Sequence, residues 1–191
     1  MSFGICVLAS GRGSNFLAIL KAIEQKTCSA KVLCLISDKS DAKALEIAKE
    51  NSIPTHIILR SDFSSSPDFD EELLKILDSY SPKLIVLAGY MRILHSPKIF
   101  SKYGGHIINI HPSLLPKYPG AQAQKDAFEA GEKISGLTIH LVDETLDGGK
   151  ILYQKKVDIS SCKSAQEVAS KILEQEHISY PLVIDKILRG K

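Results

Sequence analysis

The sequence predicts an α/β protein with a three-layer, Rossmann-like, mostly parallel sheet and an antiparallel edge near the C-terminal half. Apolar segments alternate with segments of helical periodicity through the first two-thirds of the chain, a pattern typical of a parallel sheet covered by helices. Residues 84–88 are entirely apolar, as expected of a strand buried on both faces. Two further predicted strands, residues 137–142 and 151–157, are joined by one turn, and such a pair is typically antiparallel.

Length and composition are those of one globular domain spanning residues 1–191. Apolar residues make up 44% of the chain and charged residues 24%, with a net charge of +2, which is too small to favour nucleic acid or a membrane surface as partner. We therefore expect small-molecule partners only, with the oligomeric state open between monomer and homodimer. The four cysteines form no C-x-x-C pair, so we expect no metal site and a reducing, cytoplasmic location.

The N-terminal half is predicted to alternate strands with helices. Strands are expected at residues 3–9, 31–37 and 55–59, where apolar and β-branched residues cluster. Ser40 or Asp41 is expected to cap the helix after the second strand. The helix after the first strand is indicated by apolar residues at helical spacing, namely Phe16, Leu17, Leu20 and Ile23.

The next helix is predicted to begin at Ser66-Pro67, which provides an N-cap followed by a proline at the first helical position. Two shorter helices are expected near residues 97–102 and 122–130, and Gly131 is expected to end the second of them. The buried face of the first of these three helices is indicated by Phe69, Leu73 and Leu77.

The last helix is predicted to open on a capping box, Ser164-Ala-Gln-Glu167. Pro181 falls inside this helical segment, and we expect it to kink or divide the helix because proline lacks the N–H of the helical ladder.

Two polar residues interrupt an apolar strand predicted around residues 107–111. Asn109 and His111 are two positions apart, so their side chains point to the same face of the strand. Pro112 favours an extended backbone at His111, and strand ends are where parallel sheets place ligands. An amide beside an imidazole can stabilise an oxyanion and transfer a proton. The alternative is a strand end followed by an ordinary loop histidine.

Asp147 is the candidate third member of this group, in the turn after residues 137–142. A carboxylate beside an imidazole favours the protonated ring. Taken alone, Asp147-Gly-Gly149 indicates only a turn. The nucleophile motif G-x-S-x-G is absent from the sequence, so we predict direct acyl transfer between two bound substrates.

The segment Gly11-Arg-Gly-Ser-Asn15 joins the first predicted strand to the first helix. Its glycines and the N–H groups of a helix start suit a phosphate. The dinucleotide fingerprint fails because Phe16 occupies its third glycine position, which favours a phosphomonoester. The alternative is a tight turn without a ligand. Asp38 could contact a ribose or cap the following helix.

A third candidate segment, Tyr90-Met-Arg-Ile-Leu94, follows the buried strand at residues 84–88. Its apolar side chains could line a site for a flat ring, or they could pack against a helix. We assign no role to the remaining histidines, His140 among them.

Seven segments together resemble the phosphoribosylglycinamide formyltransferases, folate-dependent enzymes of purine biosynthesis. The resemblance covers nearly the whole chain, with the segments in the family's order. They are Gly13-Ser-Asn15, Leu87-Ala-Gly-Tyr-Met-Arg-Ile-Leu94, Asn109-Ile-His-Pro-Ser-Leu-Leu-Pro116, Tyr118-Pro-Gly120, Gly136-Leu-Thr-Ile-His140, Leu146-Asp-Gly-Gly149 and Gln175-Glu-His177.

The resemblance implies formyl transfer from 10-formyltetrahydrofolate to the amine of glycinamide ribonucleotide, without a metal. It implies that Asn109, His111 and Asp147 are catalytic. The residues implied to bind glycinamide ribonucleotide are Gly13, Ser14, Asn15, Leu173, Glu174, Gln175 and Glu176. The residues implied to bind the folate are Met91, Arg92, Ile93, Leu94, Asn109, Asp143, Glu144, Thr145, Leu146 and Asp147.

Two residues depart from the family pattern, and other members of the superfamily remain as alternatives. Gln122 stands where many members have a histidine, and Ser66 where many have an arginine that contacts the folate tail; Arg60 or Lys98 could replace that contact. Methionyl-tRNA formyltransferase and formyltetrahydrofolate hydrolase share part of the pattern but carry a further domain, so chain length favours the glycinamide enzyme. A nucleotide-binding module without catalysis would leave the three predicted catalytic residues unexplained.

Overall fold

The computed structural model describes residues 3–190 and contains a seven-stranded sheet with helices on both faces. The strands are β1 (Phe3–Leu8), β2 (Ala30–Ser37), β3 (Thr55–Ile57), β4 (Leu84–Leu87), β5 (Ile107–His111), β6 (Ile134–Leu141) and β7 (Ile151–Asp158). The helices are α1 (Ser14–Glu24), α2 (Lys43–Glu50), α3 (Ser66–Tyr80), α4 (Pro97–Tyr103), α5 (Ala123–Glu129) and α6 (Ala165–Arg189), with a 3-10 turn at Arg60–Asp62.

The strand order confirms the predicted fold class. The order across the sheet is β3-β2-β1-β4-β5-β6-β7. Neighbouring strands from β3 to β5 are parallel, whereas β6 and β7 add the antiparallel edge. The chain builds outward from β1 in both directions, and such a reversal of strand order leaves a crevice beyond the C-terminal ends of β1 and β4.

The central strands send alternate side chains into two apolar cores. In β1, Ile5 and Val7 belong to the core that includes buried residues of α1, α2 and α6, whereas Cys6 and Leu8 belong to the core that includes those of α3 and α4. Each face of the sheet is therefore covered by its own helices, which gives the predicted three layers.

The predicted cap of α2 is wrong. Ser40 and Asp41 lie in the preceding turn, and the N-cap residue is Ala42, whose side chain makes no capping bond. The N–H of Ala44, at the start of α2, instead donates to the carbonyl oxygen of Gly11 at 3.1 Å. A tertiary contact thus provides the acceptor for a helix-terminal N–H, where the sequence predicts a capping side chain.

The start of α3 is displaced by one residue from the prediction. Ser65 is the N-cap, and its hydroxyl accepts the N–H of Asp68 at 3.3 Å. Ser66 is therefore the first helical residue and Pro67 the second, where the missing proline N–H costs nothing. The predicted inner face is confirmed, since Phe69, Leu73 and Leu77 are all buried.

Helix α6 begins as predicted but is not divided by its proline. Ser164 is the N-cap and accepts the N–H of Glu167 at 3.2 Å. Of the two effects expected of Pro181, a kink or a division, the division is wrong, because α6 is a single helix of 25 residues. Tyr180 and Ile184, on either side of the proline, are buried in the same core, and this packing offsets the lost backbone bond. Neither α6 nor any other helix among residues 3–190 is long and apolar enough to cross a membrane.

Candidate active site

A cavity of about 550 Å³ opens at the C-terminal ends of β1, β4 and β5. The loop after β1, the segment after β4, the end of β5, the turn after β6 and one face of α6 line it. The predicted site residues that it brings together are Gly13, Ser14, Asn15, Met91, Arg92, Ile93, Leu94, Asn109, His111, Asp143, Thr145, Leu146, Asp147, Leu173 and Glu176.

Three predicted binding residues do not line the cavity. They are Glu144, Glu174 and Gln175. On α6, Leu173 and Glu176 are three residues apart and therefore lie on one face, whereas the two residues between them point elsewhere. Glu144 is exposed in the turn after β6.

One end of the cavity is formed by the loop between β1 and α1. Gly13 caps α1 in the left-handed conformation, with φ +71°, and a Cβ atom there would lie 2.8 Å from the Cα of Ala44. Asn15 Nδ2 donates to Glu176 Oε2 at 2.7 Å, which ties the loop to α6. Asn15 Oδ1 is buried and has no hydrogen-bond partner among residues 3–190. Burial raises the pKa of the Glu176 carboxyl, and the bond from Asn15 offsets this only in part.

Arg12 adds a positive charge to the same end of the cavity. Its side chain is exposed and lines the cavity beside Gly13. Within residues 3–190, Arg12 takes part in no salt bridge. The N–H groups at the start of α1 and this guanidinium together form an environment suited to a phosphate.

His111, at the end of β5, also lines the cavity. Its Nδ1 lies 3.4 Å from Asp147 Oδ2, and its Nε2 lies 2.8 Å from the carbonyl oxygen of Tyr118. Both partners are hydrogen-bond acceptors. A ring protonated on both nitrogens satisfies both of them, with Asp147 as counter-ion.

His140, to which the sequence assigned no role, lies beside Asn109. The two residues pair across β5 and β6, and Asn109 Nδ2 is 3.3 Å from His140 Nε2. The other ring nitrogen, Nδ1, lies 2.8 Å from the carbonyl oxygen of Leu141 and must therefore donate to it. In the neutral ring Nε2 then accepts from Asn109, so the amide nitrogen is directed by His140 and retains a second hydrogen for a ligand.

Asp147 connects the two histidines. It has φ +52°, uncommon for a residue other than glycine. Its Oδ2 accepts the N–H of Gly120 at 2.8 Å, and its Oδ1 lies 3.6 Å from His140 Nε2. Burial by itself would raise the pKa of the Asp147 carboxyl, but the hydrogen bond from Gly120 and the charge of His111 hold that pKa below its ordinary value. The carboxylate therefore stays ionised at neutral pH.

The histidine nitrogen atoms that could bind a metal ion already have neighbours within the protein. The ring nitrogens of His111 and His140 face Tyr118, Leu141, Asn109 and Asp147. Among residues 3–190, no cluster of His, Cys, Asp and Glu has the arrangement of a metal site.

The third side of the cavity is the wall segment, residues 89–96, which follows β4. Residues 90–96 form neither helix nor strand. Met91 and Ile93 are 64% and 43% exposed, and Leu146 across the cavity is 56% exposed. Large apolar side chains left exposed around one concave site suit a flat apolar group that would cover them.

The two family departures and Asp38 lie outside the cavity lining. Gln122 is the exposed N-cap of α5, and Ser66 begins α3. Orientation of Asp147 falls to the N–H of Gly120 and not to a side chain at position 122. Asp38 does not cap α2, and its buried Oδ1 has no hydrogen-bond partner in the described part of the chain.

Sequence reasoning missed His140, Arg12 and Gly120 as residues of the site. The link between His140 and Asn109 depends on strand register across 31 positions, which periodicity does not give. Arg12 carried a usable signal, since it is a cation inside the predicted phosphate loop. Gly120 acts only through its backbone N–H, so its side-chain type gives no indication of the contact.

Comparisons with known proteins agree with this geometry. Residues 4–184 match the formyl transferase family. The chain is 42% identical over 187 residues to phosphoribosylglycinamide formyltransferase of Escherichia coli (strain K12), which covers 98% of this chain and 88% of that protein. The same enzyme of Bacillus subtilis (strain 168) is 39% identical over 95% of this chain and 93% of its own length. A solved structure of the Coxiella burnetii enzyme has a TM-score of 0.94 and 41% identity, over 100% of this chain and 89% of that chain.

Proposed function

The chain belongs to the phosphoribosylglycinamide formyltransferases of the formyl transferase family, and from this premise we propose how its cavity carries out the reaction. The enzyme transfers the formyl group of 10-formyltetrahydrofolate to the amine of N1-(5-phospho-D-ribosyl)glycinamide. The product is formylglycinamide ribonucleotide, in purine biosynthesis. The cytoplasmic location, the single domain over residues 1–191 and the choice between monomer and homodimer stay predictions.

One observation carries the assignment of the site. A single cavity is lined by the His111–Asp147 pair, by Asn109, by the loop between β1 and α1 and by the apolar wall segment. A phosphorylated amine held at the loop and a folate held at the wall would therefore bring their reacting atoms together at the pair. Holding two substrates in this way makes the reaction effectively unimolecular.

The phosphate of the ribonucleotide binds the loop between β1 and α1. The N–H groups of Gly13 and Ser14 and the Arg12 guanidinium are its donors. Glu176, held by Asn15, faces the ribose and glycinamide portion, where hydroxyl and amine donors can satisfy a buried carboxylate.

The pteridine ring of the folate lies against the wall segment. Met91, Ile93 and Leu146 provide apolar contacts, and the backbone of the wall segment and of residues 143–147 provides hydrogen-bonding groups for the edge of the ring. The formyl group then points towards Asn109 and His111.

The amine nitrogen attacks the formyl carbon, a carbon–nitrogen bond forms, and the carbonyl oxygen becomes an oxyanion. Asn109 donates to this oxyanion through the amide hydrogen that His140 leaves free, and His111 stabilises it by its positive charge. The bond from the formyl carbon to N10 of the folate then breaks, and the proton lost by the amine passes to N10. Asp147 stays ionised and keeps His111 oriented.

A formyl-transfer assay with glycinamide ribonucleotide and 10-formyltetrahydrofolate tests the proposal. His111→Ala and Asp147→Asn should each lower turnover by at least ~100-fold, because each removes the charge or the partner that stabilises the oxyanion. His106→Ala is the matched control, since His106 is exposed just before β5 and outside the cavity. Near-normal turnover of either site variant contradicts the assignment. Loss of the formyl group without the amine acceptor would instead indicate hydrolysis.

A further inference from the structure

The wall segment has no regular secondary structure of its own, so its path depends on contacts with neighbouring elements. At its start, the N–H of Ser10 donates to the carbonyl oxygen of Gly89 at 3.0 Å, and the N–H of Met91 donates to Ser10 Oγ at 2.9 Å. At its end, the N–H groups of His95 and Ser96 both donate to one carboxylate oxygen, Oδ2 of Asp70, at 2.7 and 2.8 Å.

The residues between these anchors are the ones that line the cavity. Within residues 3–190, the backbone N–H groups of Arg92, Ile93 and Leu94 take part in none of the backbone bonds that link turns and loops. The Arg92 guanidinium lies over the Phe69 ring, with its Cζ 4.6 Å from the ring centroid. Helix α3 therefore holds the wall segment through two consecutive residues, Phe69 and Asp70.

Asp70 is only 2% exposed, and this burial comes at a cost to the fold. Desolvation raises the pKa of the Asp70 carboxyl, and the two backbone hydrogen bonds from His95 and Ser96 and the charges of His95 and Arg92 offset it only in part. A raised pKa means that the ionised carboxylate is less favourable in the folded chain than in the unfolded chain. As the pH rises through that raised pKa, the charge therefore lowers stability. A residue that costs stability while fixing a loop beside a cavity is typical of a functional constraint.

We propose that Asp70 is a positioning residue for folate binding, which fixes the wall segment by accepting the N–H groups of His95 and Ser96. This inference rests on the proposed function of the cavity. Asp70 itself does not line the cavity and acts through the path it gives to residues 91–94.

Steady-state kinetics of three variants test this role. Asp70→Ala loses both acceptor contacts, so the KM for 10-formyltetrahydrofolate should rise at least about tenfold, while the KM for glycinamide ribonucleotide stays within about twofold. Asp70→Asn retains a carbonyl oxygen that can accept both N–H groups, so its KM values should stay close to those of the wild type and its Tm should equal or exceed the wild-type Tm.

Asp78→Ala is the matched control, because Asp78 lies on the same helix and accepts from Tyr103 at 2.9 Å, away from the wall segment. It should lower stability without changing the folate KM. Equal increases in both KM values for Asp70→Ala, or the same folate effect in Asp78→Ala, would overturn the proposal. If Asp70→Ala does not fold, Asp70→Glu, which keeps the charge but displaces the acceptor, is judged by the same criteria.

Amide hydrogen exchange separates this inference from the proposed function, because it needs no substrate. Asp70→Ala should lose protection at His95 and Ser96, with faster exchange across residues 91–96, whereas Asp78→Ala should retain the wild-type pattern there. Unchanged exchange in the wall segment refutes the positioning role even if formyl transfer is normal. If exchange in Asp70→Ala is faster but the wild-type enzyme is inactive towards glycinamide ribonucleotide, Asp70 still fixes the wall segment and the assigned reaction is refuted.

Discussion

His140 and Asn109 illustrate how the role of one side chain depends on an exact neighbour. A histidine at the middle of an apolar strand pattern is expected to pack. In the folded chain its Nδ1 must donate to the carbonyl oxygen of Leu141, which leaves Nε2 to accept from Asn109 at 3.3 Å. The tautomer of one residue therefore fixes the direction of the amide of another. The same ring also lies 3.6 Å from Asp147, so it contacts two of the three predicted catalytic residues.

Replacing His140 with phenylalanine should lower kcat by about 10- to 100-fold, because the Asn109 amide loses the acceptor that orients it. The KM values should change little, since His140 is almost fully buried and the proposed contacts of both substrates involve other residues. His140→Gln can place an oxygen close to the position of Nε2 and should recover part of the loss. A steady-state comparison of the two variants checks this. A normal kcat in His140→Phe contradicts the orienting role.

The loop between β1 and α1 shows how an element boundary serves two purposes. Gly13 starts α1 and also lies against the neighbouring helix α2, where the N–H of Ala44 is taken by the carbonyl oxygen of Gly11. Gly11 therefore bonds the start of α2 through its carbonyl oxygen, and Gly13 allows the start of α1 to pack closely against α2. The same loop lines the cavity.

Gly13→Ala should destabilise the protein and raise the KM for the phosphorylated substrate. A Cβ atom at this position would lie 2.8 Å from the Cα of Ala44, in a left-handed conformation that costs an alanine ~1–2 kcal/mol. Urea unfolding measures the first effect and kinetics the second. Gly11→Ala is the control for stability, because a Cβ atom there meets nothing within 4 Å. Equal stability of the two variants would contradict the close approach of α1 and α2.

Helix α6 connects several elements that line the cavity. Glu176 accepts a hydrogen bond from Asn15 and so ties the loop between β1 and α1 to the helix. One turn further along, the fully buried Tyr180 donates to the carbonyl oxygen of Leu87 at 2.8 Å and to that of Ile108 at 3.3 Å. These carbonyl groups belong to β4 and β5, the strands that lead to the wall segment and to Asn109.

Tyr180→Phe should therefore lower the free energy of unfolding by about 1–2 kcal/mol, because two buried carbonyl oxygens lose a donor while the ring volume is kept. Chemical denaturation measures the change. Tyr153→Phe, on the edge strand β7, should have a smaller effect. Equal losses in the two variants would show that the contact of Tyr180 with the two strands is not a significant source of stability.

The fold could be predicted from the sequence because its signals are local. Apolar runs such as residues 84–88, helical spacing in α3 and the capping residue Ser164 follow from neighbours within a few positions. Apart from the one-residue displacement at the start of α3, the errors occurred where a distant group replaced a local one. The carbonyl oxygen of Gly11 replaced the predicted cap of α2, and core packing kept α6 continuous through Pro181.

The residues of the candidate site also fall into those that local sequence predicts and those that only tertiary contacts reveal. Residue types, strand ends and the family pattern were enough to select Asn109, His111, Asp147 and the loop after β1, which line one cavity; their roles stay predictions. Contacts between elements depend on strand register and helix packing, which no local periodicity specifies. These contacts place His140 against Asn109 and Asp70 under the wall segment. The sequence alone therefore predicted the candidate chemical groups of the site, and only the packing of the folded chain decided which groups hold them in position.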